Sequence, residues 1–298
     1  MAEHLGVVDL HSHSTCSDGT LTPSELVAEA ARRGVAVLAL TDHDTVAGLA
    51  EAAEAALQHG IELVRGIEVT CDCQGMEVHM LGLGVNPGSG DLQALCKLIL
   101  SRRRLRFNEM IERLRMVGAP LSVPETADGM ALARPFVARL LVQQGFVESY
   151  TEAFDRYLKR GCPGYVEHNR ISMAQAIAAI HAGSGLAFVA HPGLNPRGDD
   201  VVYEARQFGL DGIECWHSDH THDVQNHYRA MAQKFDMLCS GGADFHGLDH
   251  PRSKHFGQRG CPSAELDRIR ARLQRAGVER RSEQSLHDLA SKSALHNV

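Results

Sequence analysis

The chain has 298 residues, of which 44% are hydrophobic and 22% charged, and it carries a formal net charge of −7. That length buries a sizeable core and fits one large α/β domain or a domain with an inserted subdomain. The acidic balance excludes a global basic field for nucleic acid, and no apolar run approaches the roughly 20 residues needed to cross a bilayer. Met1 to His4 show neither the basic nor the apolar region of a secretory signal. Eight cysteines without a CxxC pair read as reduced thiols, so a cytoplasmic protein is expected. Eighteen histidines are well above the usual share, and where they fall carries the information.

Val7, Val8 and Leu10 run directly into His11-Ser12-His13, with Asp18 five residues on. If Val7 to His13 is a strand, its period of two puts both imidazoles on one face, where they can begin a metal site. Thr22-Pro23-Ser24-Glu25 reads as a helix start: Thr22 as N-cap, proline in the first turn and glutamate at the third position. Gly34 ends that helix. Val35 to Leu40 is a continuous apolar run, as in a strand buried on both faces, and it breaks into Thr41-Asp42-His43-Asp44. An alanine-rich helix from about Val46 to His59 stops at Gly60. A third strand, Ile61 to Val69, is expected to end at Glu68.

This alternation of strand and helix predicts parallel βα units, whose chemistry collects at the carboxyl ends of the strands. Gln74-Gly75 reads as a turn before a return strand bearing His79, and Asn86 to Gly90 as a break. From Asp91 to about Val166 the pattern is helical, with Arg102, Arg103, Arg104, Arg106, Arg113 and Arg115 crowding its first helix. The expected organisation is a barrel over 1–98 and 166–298 interrupted by a helical subdomain at 99–165. Further strands end at His191, at His217 (the segment Gly212-Ile213-Glu214-Cys215-Trp216-His217), and at Asp244-Phe245-His246. The tail from Ser263 reads as a polar helix with a solvated face.

Six strand ends thus carry nine possible ligands: His11, His13, Asp18, His43, Glu68, His79, His191, Asp244 and His246. Nine groups are too many for one four-coordinate zinc and enough for two or three cations sharing carboxylates. Any one of these histidines alone is better explained by a hydrogen bond in the fold; the set points to a multinuclear centre.

The segments Asp9-Leu10-His11-Ser12-His13, Thr41-Asp42-His43, Gly66-Ile67-Glu68, His79 before Leu81-Gly82, Ala190-His191-Pro192 and Ala243-Asp244-Phe245-His246-Gly247 resemble the PHP (polymerase and histidinol phosphatase) superfamily. The resemblance implies an α/β fold, a distorted (β/α)7 barrel, with two or three divalent ions, most commonly manganese, with iron or zinc as alternatives. It implies a first metal on His11, His13, Glu68 and Asp244, and a second bridged by Glu68 and completed by His79 and His191. Asp18, His43 and His246 would hold a third. Asp9 and Asp42 would orient the ligating histidines.

Ala133-Arg134-Pro135-Phe136, Gly145-Phe146-Val147 and Ala153-Phe154-Asp155 look most like the nucleotide-phosphoesterase branch, which removes the 3′-phosphate from nucleoside 3′,5′-bisphosphates such as pAp. Phe136 stands where that branch usually has His. The implied chemistry is in-line attack by a hydroxide bridging the metals, with no protein nucleophile, so Cys16 and Cys215 are packing residues. Arg134 is the expected clamp for the substrate's second phosphate. His217, His220 and Arg197 are weaker candidates, balanced against surface or structural roles. The arginines from 102 to 106 read as a solvated helix face, with RNA contact as the alternative. The substrates weighed are a pAp-like nucleotide, short 5′-phosphorylated RNA (5′→3′ exoribonuclease) and histidinol phosphate. A metal-binding module without catalysis is the reading from another class. No membrane and no obligate protein partner are expected.

Overall fold

The computed structural model describes residues 6–124, 132–258 and 260–276. Its first half runs β1 (Val7–Asp9), α1 (Pro23–Arg32), β2 (Val35–Leu40), α2 (Leu49–His59), β3 (Glu62–Cys73) and β4 (Met76–Leu83). The capping box that opens α1 is present: Thr22 Oγ1 accepts the Glu25 N–H, and Glu25 Oε2 accepts the Thr22 N–H at 2.8 Å. α2 begins three residues later than the alanine pattern suggests. Thr45 Oγ1 accepts the Ala47 N–H and holds that segment in a turn.

β3 outruns its expected end, for a definite reason. It pairs parallel with β2 over Glu62–Arg65, then changes partner and runs antiparallel to β4 from Gly66 to Cys73. Gln74 (φ 52°) and Gly75 (φ 84°) supply the left-handed pair of a tight hairpin. Glu68 therefore lies in the middle of a strand rather than at its end, and His79 lies in the middle of β4.

The second half contributes β5 (Ile171–Ser172), α3 (Met173–Ala182), β6 (Leu186–Val189), α4 (Gly198–Arg206), β7 (Gly212–His217), α5 (His222–Lys234) and β8 (Leu238–Gly242). The sheet order is β1-β2-β3-β4-β6-β7-β8, with β5 attached to β3. Only β4 runs antiparallel to its neighbours β3 and β6. The seam closes where Leu10 N–H donates to Gly241 O (3.1 Å), Asp244 N–H to His11 O and His13 N–H to Phe245 O (both 2.9 Å). The result is a distorted seven-stave barrel. Gly242 is required at the seam, because a Cβ there would stand 2.4 Å from the His11 nitrogen.

Strand alternation then sorts the side chains. Val8, Leu10, Val37, Ala39, Leu81, Leu83, Leu186 and Phe188 fill the barrel, while Ile67, Val69, Met80, Val189 and Ile213 face the surrounding helices. The helix at 263–276 is not a solvated appendage: Leu266 and Ile269 are 1% exposed and plug the barrel interior from below. The rest of the tail lies outside the described residues.

A 27-residue helix, Gly90–Met116, leaves the barrel after β4. Leu92, Leu95, Cys96 and Ile99 pack on the barrel core, whereas Phe107, Met110 and Leu114 belong to a separate cluster with Val137, Leu141 and Leu158. The expected subdomain boundary at 98/99 thus falls inside one continuous helix. Its arginines do not form a solvated face, since most are staples. Arg103 donates to Asp44 and to Thr70 Oγ1 (3.0 Å), Arg102 to the Asn169 and Arg170 carbonyls, and Arg106 and Arg113 to those of Val166 and Tyr165. Helical periodicity marked the arginine side without revealing what packs against it.

The Asp44 side chain is 1% exposed and Arg103 17%, so deleting one partner leaves a buried charge. Arg103→Met is expected to cost about 3 kcal/mol, read as a lower urea midpoint at unchanged slope. An unchanged midpoint would refute the staple.

Candidate metal centre

The centre is built on Glu68, whose β3 position turns its side chain into the barrel above the apolar plug. Glu68 Oε2 lies 3.2 Å from His11 Nε2, from His13 Nε2 and from His43 Nδ1; Oε1 lies 3.0 Å from His79 Nδ1 and 3.1 Å from His191 Nε2. Five imidazoles thus surround one carboxylate that is 1% exposed. On the other side of His11 and His13, Asp244 Oδ1 is 3.4 and 3.1 Å from their Nε2 atoms. Asp18 reaches His13, His43 and His246 at 3.4 to 3.8 Å.

The ligand atoms fall into three groups whose members lie within 4.8 Å of one another: His11, His13, Glu68 and Asp244; His13, Asp18, His43 and His246; and His43, Glu68 and His79. The first is the set expected for one metal. The second adds His13 to the expected third set. In the remaining group His43 stands where His191 was expected, although His191 touches Glu68 Oε1, the oxygen that His79 also meets. All nine residues singled out in the sequence converge here.

Backbone geometry helps to aim them. His191 (φ 29°) and Asp244 (φ 52°) occupy the left-handed region that β-carbon residues seldom adopt, each at the end of a strand. The electrostatics are those of a nest of opposite charges. Burial opposes the charge on Glu68, yet the imidazoles around it hold its carboxyl well below the usual range. Burial likewise opposes the charge on His79, but Glu68 and Glu77 push it up to about 10. His43 goes the other way: burial drives it down to about 3, a neutral imidazole with a lone pair to give.

Whether these residues suit cations is answered by the atoms left over. Among the described residues, His11 Nε2, both nitrogens of His13, His43 Nδ1, His79 Nδ1, Glu68 Oε2 and Asp244 Oδ1 are buried without a hydrogen-bond partner. Buried polar atoms are seldom orphaned. Here the orphans point at one another, and imidazole nitrogens with carboxylate oxygens are the donors that borderline divalent cations take. The donor set fits.

Asp9 and Asp42 do not orient the histidine rings as expected. Asp9 Oδ1 accepts the N–H groups of His11 (3.3 Å) and Ala243 (3.0 Å), tying the barrel seam, and burial pushes its carboxyl up to about 7. Asp42 accepts from Ser14 N–H, Ser14 Oγ and Ser17 Oγ at 2.6 to 2.7 Å and so fixes the loop that carries Asp18. The group that orients a ring is one the sequence reading passed over. Glu214, fully buried on β7, sits 2.9 Å from His11 Nδ1 and leaves Nε2 to face Glu68. An acid inside an apolar strand run was the available signal.

Of the weaker candidates, His217 adjoins the centre, with Nε2 3.2 Å from Asp244 Oδ2. Arg252, also passed over, holds the same Asp244 carboxylate and Asp219. His220 is structural: its Nε2 accepts the Gly193 N–H and its Nδ1 meets the Cys215 carbonyl. Arg197 is bound to Asp200 and Gln74 near the β3–β4 hairpin and touches none of the nine. Arg134 begins the helix Arg134–Gln143 and lies over the rings of Phe154 and Tyr165. Phe136 is buried 5.9 Å from the Phe107 ring, an apolar role that a histidine would not fill.

Residues 9–170 match the PHP domain. The chain is 37% identical over 254 residues to a 3′,5′-nucleoside bisphosphate phosphatase of Chromobacterium violaceum, covering 80% of this chain and 87% of that one. It is 38% identical over 245 residues to a 5′-3′ exoribonuclease of Haemophilus influenzae, covering 80% and 89%. The solved structure of a protein assigned as a metal-dependent phosphoesterase from Bifidobacterium adolescentis superposes with a TM-score of 0.75 at 29% identity, covering 89% of this chain and 95% of that one. The chain belongs to the PHP-domain family of metal-dependent phosphoesterases.

Proposed function

We propose that this protein is a manganese-dependent phosphatase that removes the 3′-phosphate from nucleoside 3′,5′-bisphosphates, converting pAp to AMP and phosphate. The observation that carries the reading is the ring of imidazoles about Glu68, with its orphaned ligand atoms. His11, His13, Glu68 and Asp244 would hold one cation, Glu68 with His79 and His191 a second, and Asp18, His43 and His246 a third. Cations bound there supply charge neutralisation at the phosphoryl oxygens and an acidified water as nucleophile near neutral pH.

The chain's own residues do the rest. Glu214 fixes the His11 ring through Nδ1, and Arg252 and His217 hold Asp244 Oδ2 so that Oδ1 faces the centre. Closed in by the barrel, these charges act in a medium of low polarity, where they are stronger than in water. The second phosphate has a basic neighbourhood to enter. Burial first, then the positive charge of Arg134 and Arg170, lowers the Arg106 guanidinium to about 10. Arg170 bonds Glu77, whose carboxylate is 3.8 Å from His79 Nε2, so this group adjoins the centre.

A second reading has its own support: the Haemophilus relative, as similar as the phosphatase, is a 5′-3′ exoribonuclease. The same centre would serve a phosphodiester, the difference being what lies beyond it.

Three outcomes test this reading. Chelation should abolish phosphate release from pAp and manganese should restore it; activity persisting after exhaustive metal removal would end the proposal. Glu68→Gln should lower kcat by about a thousandfold or more, the scale of removing one preorganised electrostatic group, and should also lower bound metal. Arg134→Ala should raise KM for pAp by about ten- to a hundredfold, equivalent to one charge-assisted contact, while leaving hydrolysis of a monophosphate such as 3′-AMP unaltered. The substrate choice is settled by turnover on pAp, a 5′-phosphorylated oligoribonucleotide and histidinol phosphate. Faster turnover of the RNA would favour the exoribonuclease.

A further inference from the structure

Beside the centre lies a cleft of about 450 Å³ that none of the roles above uses. His79 and His191 form part of its wall, so it opens directly onto two of the imidazoles that surround Glu68. It forms because β4 and β6 pair only from Met80–Val189 to Leu83–Leu186. Beyond that ladder the Ala190 N–H still reaches the His79 carbonyl, and past it the chain turns into the short 3₁₀ helix Pro192–Leu194, leaving a gap against Met76 and Val78.

We propose that this cleft holds the nucleobase of the substrate while its 3′-phosphate sits at the metal centre. The inference rests on the functional reading above and names the part of the nucleotide that reading leaves unplaced. The volume is within the range of small-ligand pockets, and the walls have the right chemistry. Met76, Pro192, Leu194 and Pro196 offer apolar surface for the faces of a flat ring, and the Met76 thioether is polarizable and adaptable against an aromatic. A second phosphate is disfavoured there, because the Glu77 carboxylate lies on the same wall and like charges repel. Asn195 supplies the polar point. Its Oδ1 accepts the Arg197 N–H at 2.9 Å, so what the side chain still has to offer is its NH₂, a donor suited to a ring nitrogen or carbonyl on a base edge.

Leu194 is 43% exposed, so an aspartate there burdens the cleft without removing core. The test is calorimetric titration of the manganese-loaded protein and of Leu194→Asp with 5′-AMP and with ribose 5-phosphate, which share a phosphate and sugar and differ in the base. Wild type should bind AMP at least tenfold more tightly than ribose 5-phosphate, and the variant should bring that ratio towards one. Met76→Asp, from the opposite wall, should do the same, and thermal melting verifies that both variants are folded. Equal affinities in wild type, or a ratio retained in both folded variants, overturn the assignment. A protein that releases no phosphate from pAp yet shows the base-dependent ratio supports the cleft while defeating the phosphatase reading. One that hydrolyses pAp without the ratio does the reverse.

Discussion

The structure depends on one carboxylate, that of Glu68, and on the problem of burying it. A lone anion inside a barrel carries a desolvation cost of several kcal/mol, which hydrogen bonds from the protein usually offset. Here the neighbours are five imidazole nitrogens at 3.0 to 3.2 Å, and Oε2 itself has no hydrogen-bond partner. Protons on the histidines can balance such a cluster, as the raised His11, His13 and His79 indicate, but divalent cations balance it with better geometry. The barrel exists to hold this arrangement in place. β3 changes partner at Gly66 to bring Glu68 inward, β4 runs backwards to place His79 beside it, and the β1–β8 seam brings His11 and His13 against Asp244.

Support for the centre comes from acids and arginines outside it. Glu214, Asp9 and Asp42 hold a ring, a seam and a loop, and Arg252 steadies Asp244. Arg103 ties the long helix to Asp44, one residue beyond His43, and Asp44 Oδ1 accepts the Thr70 N–H on β3. The helical segment is therefore mechanically joined to the loop that carries a candidate ligand.

Much of this was legible in the sequence, for physical reasons. Strands of a parallel barrel are short, apolar and end abruptly in polar groups, so His11-Ser12-His13, Thr41-Asp42-His43 and Asp244-Phe245-His246 stood out against their surroundings. The α1 cap and the β7 limits were readable because they are local. What failed was non-local. Nothing near Glu68 announces that β3 will exchange a parallel partner for an antiparallel one, and its place in mid-strand followed from that exchange. The arginines of Gly90–Met116 looked solvated because periodicity describes one helix at a time, whereas their carbonyl partners lie some 50 to 70 residues later. The helix at 263–276 looked polar because Leu266, Ile269 and Leu273 alone supply its apolar contacts with the barrel core.

The central claim is that the orphaned atoms around Glu68 are cation ligands, and location tests it more directly than activity does. Crystals grown with manganese and measured at a wavelength that reveals its anomalous scattering should show two or three strong peaks. At least one should lie within bonding distance of Glu68, His11, His13 and Asp244 together. Peaks confined to surface carboxylates, or none in the barrel at saturating manganese, would contradict the account.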